Sequence, residues 1–461
     1  MREFELTIDE ALRNGLSPFK ATPFNSPYLN EFLGWRLGKA GPEKYETKDN
    51  PIVLGTLVYS WPFPQYVTGE RYNFLIIRDN ITDHADKVYE VSDNHATINH
   101  VFDIDVLTFG SYGTLMEVAD FGEYAIMMNG VAMIYWNVLG AWNASVETAT
   151  VPLMRTICNF KGQVVGGGVT TTWHDCDETF YCWSKIGEVD FTPNNENTAG
   201  YRRDPYGGNV KHVRRLRDRV VGYSDKGIVF LVPTVDPVPT FGFVELSDVG
   251  IKNQGAMDGD LNQQVYVGED NILRRVTEKG IEELGYERWM EELDGEDIIV
   301  SYDKKYKDFY IGNSTKTFLL SPNGLSEVPQ HPSAVWRNDN ETFMLPGTVD
   351  SYYQTITSWP YDVGYAGQKT VVGVETDLFL GYLPEAAISY YTNIHTYGTT
   401  NYKPLNNQNI CAITAVGNAF AVHLRCNPLY DNSTIGYIKV RYKMNDLRGI
   451  RGVYAPPPRG Q

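Results

Sequence analysis

The sequence predicts an all-β protein: a β-propeller of about six degenerate blades, a C-terminal antiparallel β-sandwich and an extended N-terminal arm. Three observations predict it. Aromatic residues make up 13% of the chain, with 31 Tyr against 20 Phe, a content suited to pleated, half-buried strands. Gly (42) and Pro (24) interrupt the chain often, which favours many short strands over long helices. Hairpin signals recur at a mean spacing of about 40–50 residues, the length of a propeller blade.

The hairpins follow one another along the chain. YNFLIIRDN from Tyr72 and KVYEVS from Lys87 form the first pair. EYAIMMNGVAMIYWNV, Glu123 to Val138, turns at Asn129-Gly130, a residue pair preferred in type I′ turns. CNFKGQVVGGGV from Cys158 turns at Lys161-Gly162, and Val165-Gly166-Gly167-Gly168 is expected as a bulge or tight hairpin end. LRDRVVGYSDKGIVFLVP from Leu216 turns near Asp225-Lys226-Gly227. QQVYVGEDNILRRV from Gln263 turns at Glu269-Asp270-Asn271, and KDFYIGNSTKTFLLSPNG from Lys307 turns around Asn313-Ser314. Neither a WD nor a kelch signature marks the repeats.

Helical periodicity is confined to two places. IDEALRNG, Ile8 to Gly15, predicts a turn or two that Gly15 stops. IEELGYERWMEELDGED, Ile281 to Asp297, predicts a helix with Leu284, Trp289 and Leu293 on one face.

Composition sets the domain boundaries. Residues 1–50, rich in Asn, Pro, Gly and Lys, read as the arm, and residues 51–365 as the propeller. The blade rhythm ends near Val363-Gly364-Tyr365-Ala366-Gly367. Residues 366–461 read as the sandwich, with strands in AAISYYTNIHTYG, NICAITAVGNAFAVHLRC and IGYIKVRYKMNDLRGIRGVYAPPPRG. In the last of these Ile438, Val440 and Tyr442 alternate with polar residues, and Ile450 and Val453-Tyr454 resume after a turn at Asn445-Asp446. The Pro-rich tail Ala455-Pro456-Pro457-Pro458-Arg459 and the arm are expected to reach neighbouring subunits, because extended segments need a partner surface to order them.

The net charge of −17, from 57 acidic and 40 basic residues, disfavours wrapping of nucleic acid. No apolar run is long enough for a membrane helix, and the alternating, charged start Met1-Arg2-Glu3-Phe4-Glu5 lacks the apolar core of a signal peptide. Cys158, Cys176, Cys182, Cys411 and Cys426 are an odd, scattered set, expected as reduced and mostly buried thiols.

Candidate chemistry is sparse. His174, Cys176 and Cys182 supply three soft ligands, without the paired spacing and fourth ligand of a structural zinc site. Asp258, Asp260, Asn262 and Glu269 occupy calcium-loop positions, but Gln263 stands where the sharp turn needs Gly. Glu291, Glu292, Asp294, Glu296 and Asp297 are too local to face each other across a sugar and suit a solvated surface. KHVRRLRDR, Lys211 to Arg219, is the one dense basic run. Without interleaved aromatics in an acidic chain, it suits pairing with acidic residues at a subunit interface better than phosphate. No nucleophile elbow, P-loop, dinucleotide fingerprint or H-E-x-x-H occurs.

One block resembles a known family. Tyr181 to Pro233 contains a Trp183-Ser184 strand end, a Gly-x-x-Asp-Phe turn at Gly187, an Asn-rich loop ending Ala199-Gly200-Tyr201-Arg202, and the hairpin Arg219-Val220-Val221-Gly222-Tyr223 before Lys226-Gly227-Ile228. It resembles the central segment of the packaged-DNA stabilisation proteins, or tail accessory factors, of short-tailed bacteriophages. The ending YIKVRYKMNDLRGIRGVYAPPPRG from Tyr437 resembles the last strands of the same family. The pattern spreads over about three-quarters of the chain, without one diagnostic motif.

The resemblance implies a non-enzymatic structural virion protein of the phage tail, assembled in the host cytoplasm. It implies a homo-oligomer, a hexameric ring acting as tail hub or nozzle below the portal–adaptor complex. Such a ring continues the DNA channel and retains packaged DNA until DNA ejection. Its partners would be adaptor and portal proteins and distal tail or fibre proteins; DNA would pass without specific binding, and the chain would not insert in a membrane. No catalytic, cofactor-binding or metal residue is implied. The alternatives are a carbohydrate-binding or glycan-hydrolysing β-propeller, suggested by the aromatic content, and a receptor-binding tail component.

Overall fold

The computed structural model describes the chain outside residues 1–2, 21–23, 40, 46–55, 65–70, 79–85, 93–97, 105–116, 123, 132, 138–141, 146–150, 195–196, 235–239, 296, 331–333, 338–341, 346–352, 366, 378–383, 393–395, 428–433 and 446–461. The Pro-rich tail, Ile450, Val453-Tyr454 and the end of the Asn445-Asp446 turn lie outside the described residues. The fold is almost entirely strand, in many small sheets. It divides into two compact units, one of residues 48–315 and 331–347, the other of 1–47, 316–330 and 348–461.

The first unit holds five consecutive four-stranded antiparallel meanders. They begin with the strands Thr56–Pro64, Glu117–Asp120, Met154–Phe160, Val210–Leu216 and Met257–Gly259. Two hairpins follow, Ile299–Asp303 with Asp308–Gly312 and Ala334–Arg337 with Thr342–Leu345. Local chemistry explains the turns. Phe160 pairs with Gln163 across Lys161-Gly162, which stand at φ 52° and 84°, the double positive φ of a type I′ turn. At Asn129-Gly130 the loop is longer than two residues, since Met128 pairs with Met133; the Asn129 side chain accepts the Val131 amide at 3.0 Å. The Ser224 hydroxyl accepts the amides of Lys226 and Gly227 and closes the Asp225-Lys226-Gly227 turn.

Neighbouring meanders pack face to face. Phe160, Val165, Tyr181 and Trp183 of the third meander interlock with Val210, Val213, Val220, Val229, Leu231 and Phe241 of the fourth. This contact explains the glycine run, which is not a hairpin end. Gly166 to Gly168 lie inside the fully buried strand Gln163–Val169. A Cβ at Gly167 would stand 2.6 Å from the Val210 side chain, and one at Gly166 would stand 2.6 Å from the Thr156 carbonyl oxygen. Gly222 is equally constrained, with the Tyr181 ring 2.5 Å from a Cβ there.

The first strands of the meanders lie side by side. Glu117–Asp120 and Val210–Leu216 flank Met154–Phe160, and Met257–Gly259 neighbours Ile299–Asp303. Further along, Ala334–Arg337 lies beside both Ile299–Asp303 and Thr56–Pro64, so the end of this unit returns to its beginning.

The second unit holds two larger sheets. One sheet runs Thr317–Ser321, Gly324–Val328, Leu29–Leu33, Gln354–Ser358, Ala419–Cys426, Glu385–Tyr391 and Tyr397–Thr399. The other places Ile438–Met444 between Glu3–Ile8 and Lys369–Thr376. Phe420 of the first sheet packs on Tyr442 of the second, with ring centroids 5.8 Å apart. The ammonium of Lys369, which is almost wholly buried, donates to the carbonyls of Tyr365, Gly367 and Asn418. Burial pulls its pKa down to about 8, while Asp362 opposes the shift.

Two expectations are corrected. The segment 1–50 is not a separate arm: its strands Glu3–Ile8 and Leu29–Leu33 each enter one of the two larger sheets of the second unit. Composition masked the alternation of Phe4, Leu6 and Ile8, which finds its partners more than 400 residues away at Tyr442, Val440 and Ile438. The stretch 281–297 is not one helix either. Gly280–Gly285 is an edge strand paired with Leu273–Thr277, and only Glu287–Glu291 is helical. Gly285 and Tyr286, at φ 85° and 63°, turn the chain between them. The short helix Glu10–Asn14 ends at Gly15, φ 67°, as expected.

Replacing Gly222 by Ala should lower unfolding free energy by about 1–3 kcal/mol, because the Tyr181 ring has no room to yield. Thermal denaturation followed by near-UV circular dichroism checks this; an unchanged midpoint contradicts the packing described.

Candidate functional site

The basic strand Val210–Leu216 and its turn were the sequence's strongest candidate for nucleic-acid contact, and the chain engages them internally, in part with acids and in part with carbonyls and rings. Lys211 Nζ lies 4.0 Å from Asp225 Oδ2. Arg214 Nη1 is 2.8 Å from Asp258 Oδ1, and its Nη2 donates to the Gly259 carbonyl at 3.0 Å. Arg215 donates to the Arg217 carbonyl and sits 6.0 Å over the Phe160 ring. Arg217 binds Asn262 Oδ1 at 2.8 Å and Glu278 at 3.3 Å, and Arg219 lies 4.9 Å over Phe230. These acids belong to the chain itself, where the sequence reading placed them across a subunit interface. Asp258, Asn262 and Glu278 stand on or beside the fifth meander, so the run joins adjacent meanders.

Where the first strands meet, polar side chains are buried. His212 Nδ1 stands 3.2 Å from Glu117 Oε1, with both side chains less than one-tenth exposed. Beside them, burial pushes the Cys158 thiol up to about 12, with the Glu117 carboxylate adding to the shift. Asp258 uses both oxygens, one on Arg214 and the other on the Tyr302 amide at 2.8 Å. Thr156 Oγ1 accepts the Val213 amide at 2.8 Å. The Tyr223 hydroxyl donates to Gln264 Oε1 at 2.7 Å, while Gln264 Nε2 donates to the Arg215 carbonyl. Side chains therefore link first strands to other parts of the unit: Glu117 and Thr156 to the fourth meander, and Asp258 to Arg214 and to the following hairpin.

The other candidates do not converge. Asp260 caps its own hairpin, accepting the amides of Asn262 and Gln263 at 2.7 and 2.9 Å, while Asp258 faces Arg214. No calcium loop forms. Cys176 and Cys182 share one core cluster with Trp173 and Phe191. Their thiols hydrogen-bond, which lowers the Cys176 pKa, while burial holds that of Cys182 well above its usual value. The His174 ring stacks on Tyr201 at 5.8 Å. Among the described residues, no group of three or more His, Cys, Asp or Glu side chains is arranged to hold a metal ion. In the 291–297 group, Asp294 is engaged by Lys252 and Asn271.

An open cleft of about 640 Å³ lies between the fourth and fifth meanders, lined by Tyr206, Asp225, Lys226, Asp248, Val249, Gly250, Glu269 and Asp270. Burial raises the Glu269 pKa, and Asp225 adds to the shift. Asp270 Oδ2 is held by Arg274 at 2.6 Å, and Asp225 Oδ1 accepts the Asn209 amide at 2.8 Å.

The second unit carries a constellation that the sequence did not disclose. His423 Nε2 is 2.7 Å from Ser389 Oγ, and its Nδ1 is 3.1 Å from Thr357 Oγ1. Glu31 accepts from the Thr357 and Thr355 hydroxyls at 2.8 and 2.6 Å. Ser389 and His423 have the separation of a nucleophile and its base. The surroundings argue against acyl transfer. Ser389 is only 4% exposed, its hydroxyl also meets Thr399 Oγ1 at 2.7 Å, and its strand is paired on both sides. An oxyanion hole needs free amides beside the nucleophile, and a doubly paired strand offers none.

No family model matches the chain, and no curated protein matches it. Solved structures that match include Kluyveromyces lactis Hsv2, at 10% identity over 64% of this chain and 100% of that one, TM-score 0.33. Another is the β-propeller domain of Cps50 (Swd1) from Myceliophteria thermophila, at 9% identity over 68% of this chain and 96% of that one, TM-score 0.39. A third is PorZ, a surface component of the type-IX secretion system of Porphyromonas gingivalis, at 10% identity over 68% of this chain and 42% of that one, TM-score 0.38. The similarity is too low to bear on function.

Asp258→Ala should destabilise the protein by about 3–5 kcal/mol, since it leaves the Arg214 guanidinium and the Tyr302 amide without their carboxylate. Arg217→Ala, at an exposed pair, should cost less than about 1 kcal/mol. Chemical denaturation of both variants checks the contrast.

Proposed function

We propose that the chain is a structural protein of a short-tailed phage tail, a ring-forming hub or nozzle beneath the portal–adaptor complex. The observation that carries this reading is the internal engagement of the basic run. A chain of net charge −17 is a poor binder of phosphate when Lys211, Arg214 and Arg217 of its one dense basic segment face its own Asp225, Asp258 and Glu278 and Arg215 and Arg219 lie on carbonyls and rings. DNA could slide past such a protein without sticking. The resemblance over Tyr181 to Pro233 supplies the rest of the reading.

In this proposal the first unit is a propeller of about six blades. The five meanders are whole blades, the strand Ile299–Asp303 begins another, and the return of Ala334–Arg337 to Thr56–Pro64 supports closure. His212, Glu117, Asp258 and Thr156 are buried where the described first strands meet, and in this reading the DNA path would run between protomers of the ring. It would not thread the centre of any one propeller.

The purified protein should form a six-membered ring, alone or on the portal–adaptor complex, by solution mass and electron-microscopic class averages. It should also fail to retain duplex DNA in a low-salt gel-shift assay. A monomer that ignores the complex but holds glycans on an array would replace this reading with a carbohydrate-binding propeller.

A further inference from the structure

The hydrogen bonds around His423 have a direction, and hydroxyl chemistry alone sets it. An ionised Glu31 only accepts, so the Thr357 and Thr355 protons both point to its carboxylate. Thr357 Oγ1 has then used its proton and must accept from His423 Nδ1. The imidazole is therefore the Nδ1–H tautomer, with a bare Nε2. Ser389 donates to that nitrogen and accepts from Thr399. A single chain of donors runs Thr399, Ser389, His423, Thr357, Glu31. It crosses the strands Tyr397–Thr399, Glu385–Tyr391, Ala419–Cys426, Gln354–Ser358 and Leu29–Leu33, every one adjacent to the next.

We propose that this chain is a proton-sensitive latch across the sheet, closed by neutral His423 and strained when the imidazole gains a second proton. Protonation puts a hydrogen on Nε2, where Ser389 now donates. The Ser389 and Thr399 hydroxyls must both reverse, and Thr399, at the exposed edge, must send its proton to water. No other donor in the chain needs to change.

The charges around His423 pull in different directions. Glu31, on Leu29–Leu33, favours the imidazolium, but the Thr357 hydroxyl separates it from the ring. Glu385, on the neighbouring strand, is bound by Arg425 at 2.5 Å; the Arg425 guanidinium, two residues from His423, stacks 3.9 Å over Tyr402. Tyr391 is stacked on Tyr397 at 5.6 Å. Gln354–Ser358 carries no ionisable side chain. Burial is the largest influence and lowers the His423 pKa below 6.5, with Glu31 opposing it. In the unfolded chain the ring takes up a proton near pH 6.5 more readily than in the fold. The latch's contribution is therefore complete above about pH 6.5, declines as pH falls through that value, and levels off below the folded-state midpoint.

The test is proton-detected NMR of the full chain labelled with ¹⁵N at histidine, titrated from pH 8 to 5. His423 should show the Nδ1–H tautomer at high pH and titrate below pH 6.5. Ser389→Ala removes the donor to Nε2 and should raise the midpoint by about 0.5 pH or more; Glu31→Gln should lower it. Thr399→Ala keeps the Ser389 donor and serves as a folded reference if either variant is unstable. An Nε2–H tautomer, a wild-type midpoint above 6.5, or shifts of the same sign in the two variants would overturn the latch.

Discussion

The first unit depends on polar side chains that reach from one meander to the next, and the Asp258 carboxylate is the centre of that system. It accepts the Arg214 guanidinium from the fourth meander and the Tyr302 amide from the following hairpin. A small meander cannot bury enough surface to stand alone, so its stability lies in its contacts with its neighbours. Apolar interlock of the kind made by Tyr181, Trp183, Val210 and Phe241 supplies most of that energy but little direction. Hydrogen bonds from Thr156, Gln264 and Asp258 supply register, because each is buried and tolerates only one arrangement.

The same economy explains why the candidate groups among the described residues do not converge. Residue types suited to metal, phosphate or carboxylate catalysis are present, and among the described candidates the fold engages them with neighbouring groups. Asp260 closes a turn, Asp294 binds Lys252, and the arginines of the 211–219 run lie on neighbouring acids, carbonyls and rings. A group with satisfied hydrogen bonds in a rigid sheet is a poor reagent. Ser389 and His423 are the sharpest instance, since their geometry matches a nucleophile and base while Ser389 is buried and its hydroxyl also meets Thr399.

Much of the architecture was legible in the chain because hairpins are local. Lys161-Gly162 and Asp225-Lys226-Gly227 declare their turns within a few residues, and the strands around them alternate accordingly. The hairpin-end reading of the glycine run failed because a sequence shows that a side chain is absent, not what occupies its place. Only the approach of Val210 to Gly167 gives the reason. The helix expected over 281–297 failed because Gly285 and Tyr286 break it, an interruption that periodicity averages over.

By itself the sequence determined the all-β class, the repeated hairpins, the acidic balance and the location of the one basic run, since composition and short-range pattern carry all of these. Tertiary structure alone decided which distant segments meet. It brought Glu3–Ile8 to Ile438–Met444, and it gathered Glu31, Thr357, Ser389 and His423 from four strands into one hydrogen-bond chain. The physical reason is that strand pairing is non-local. An alternating strand specifies the face it buries but not its partner, and the partner is chosen by the summed packing of the whole sheet.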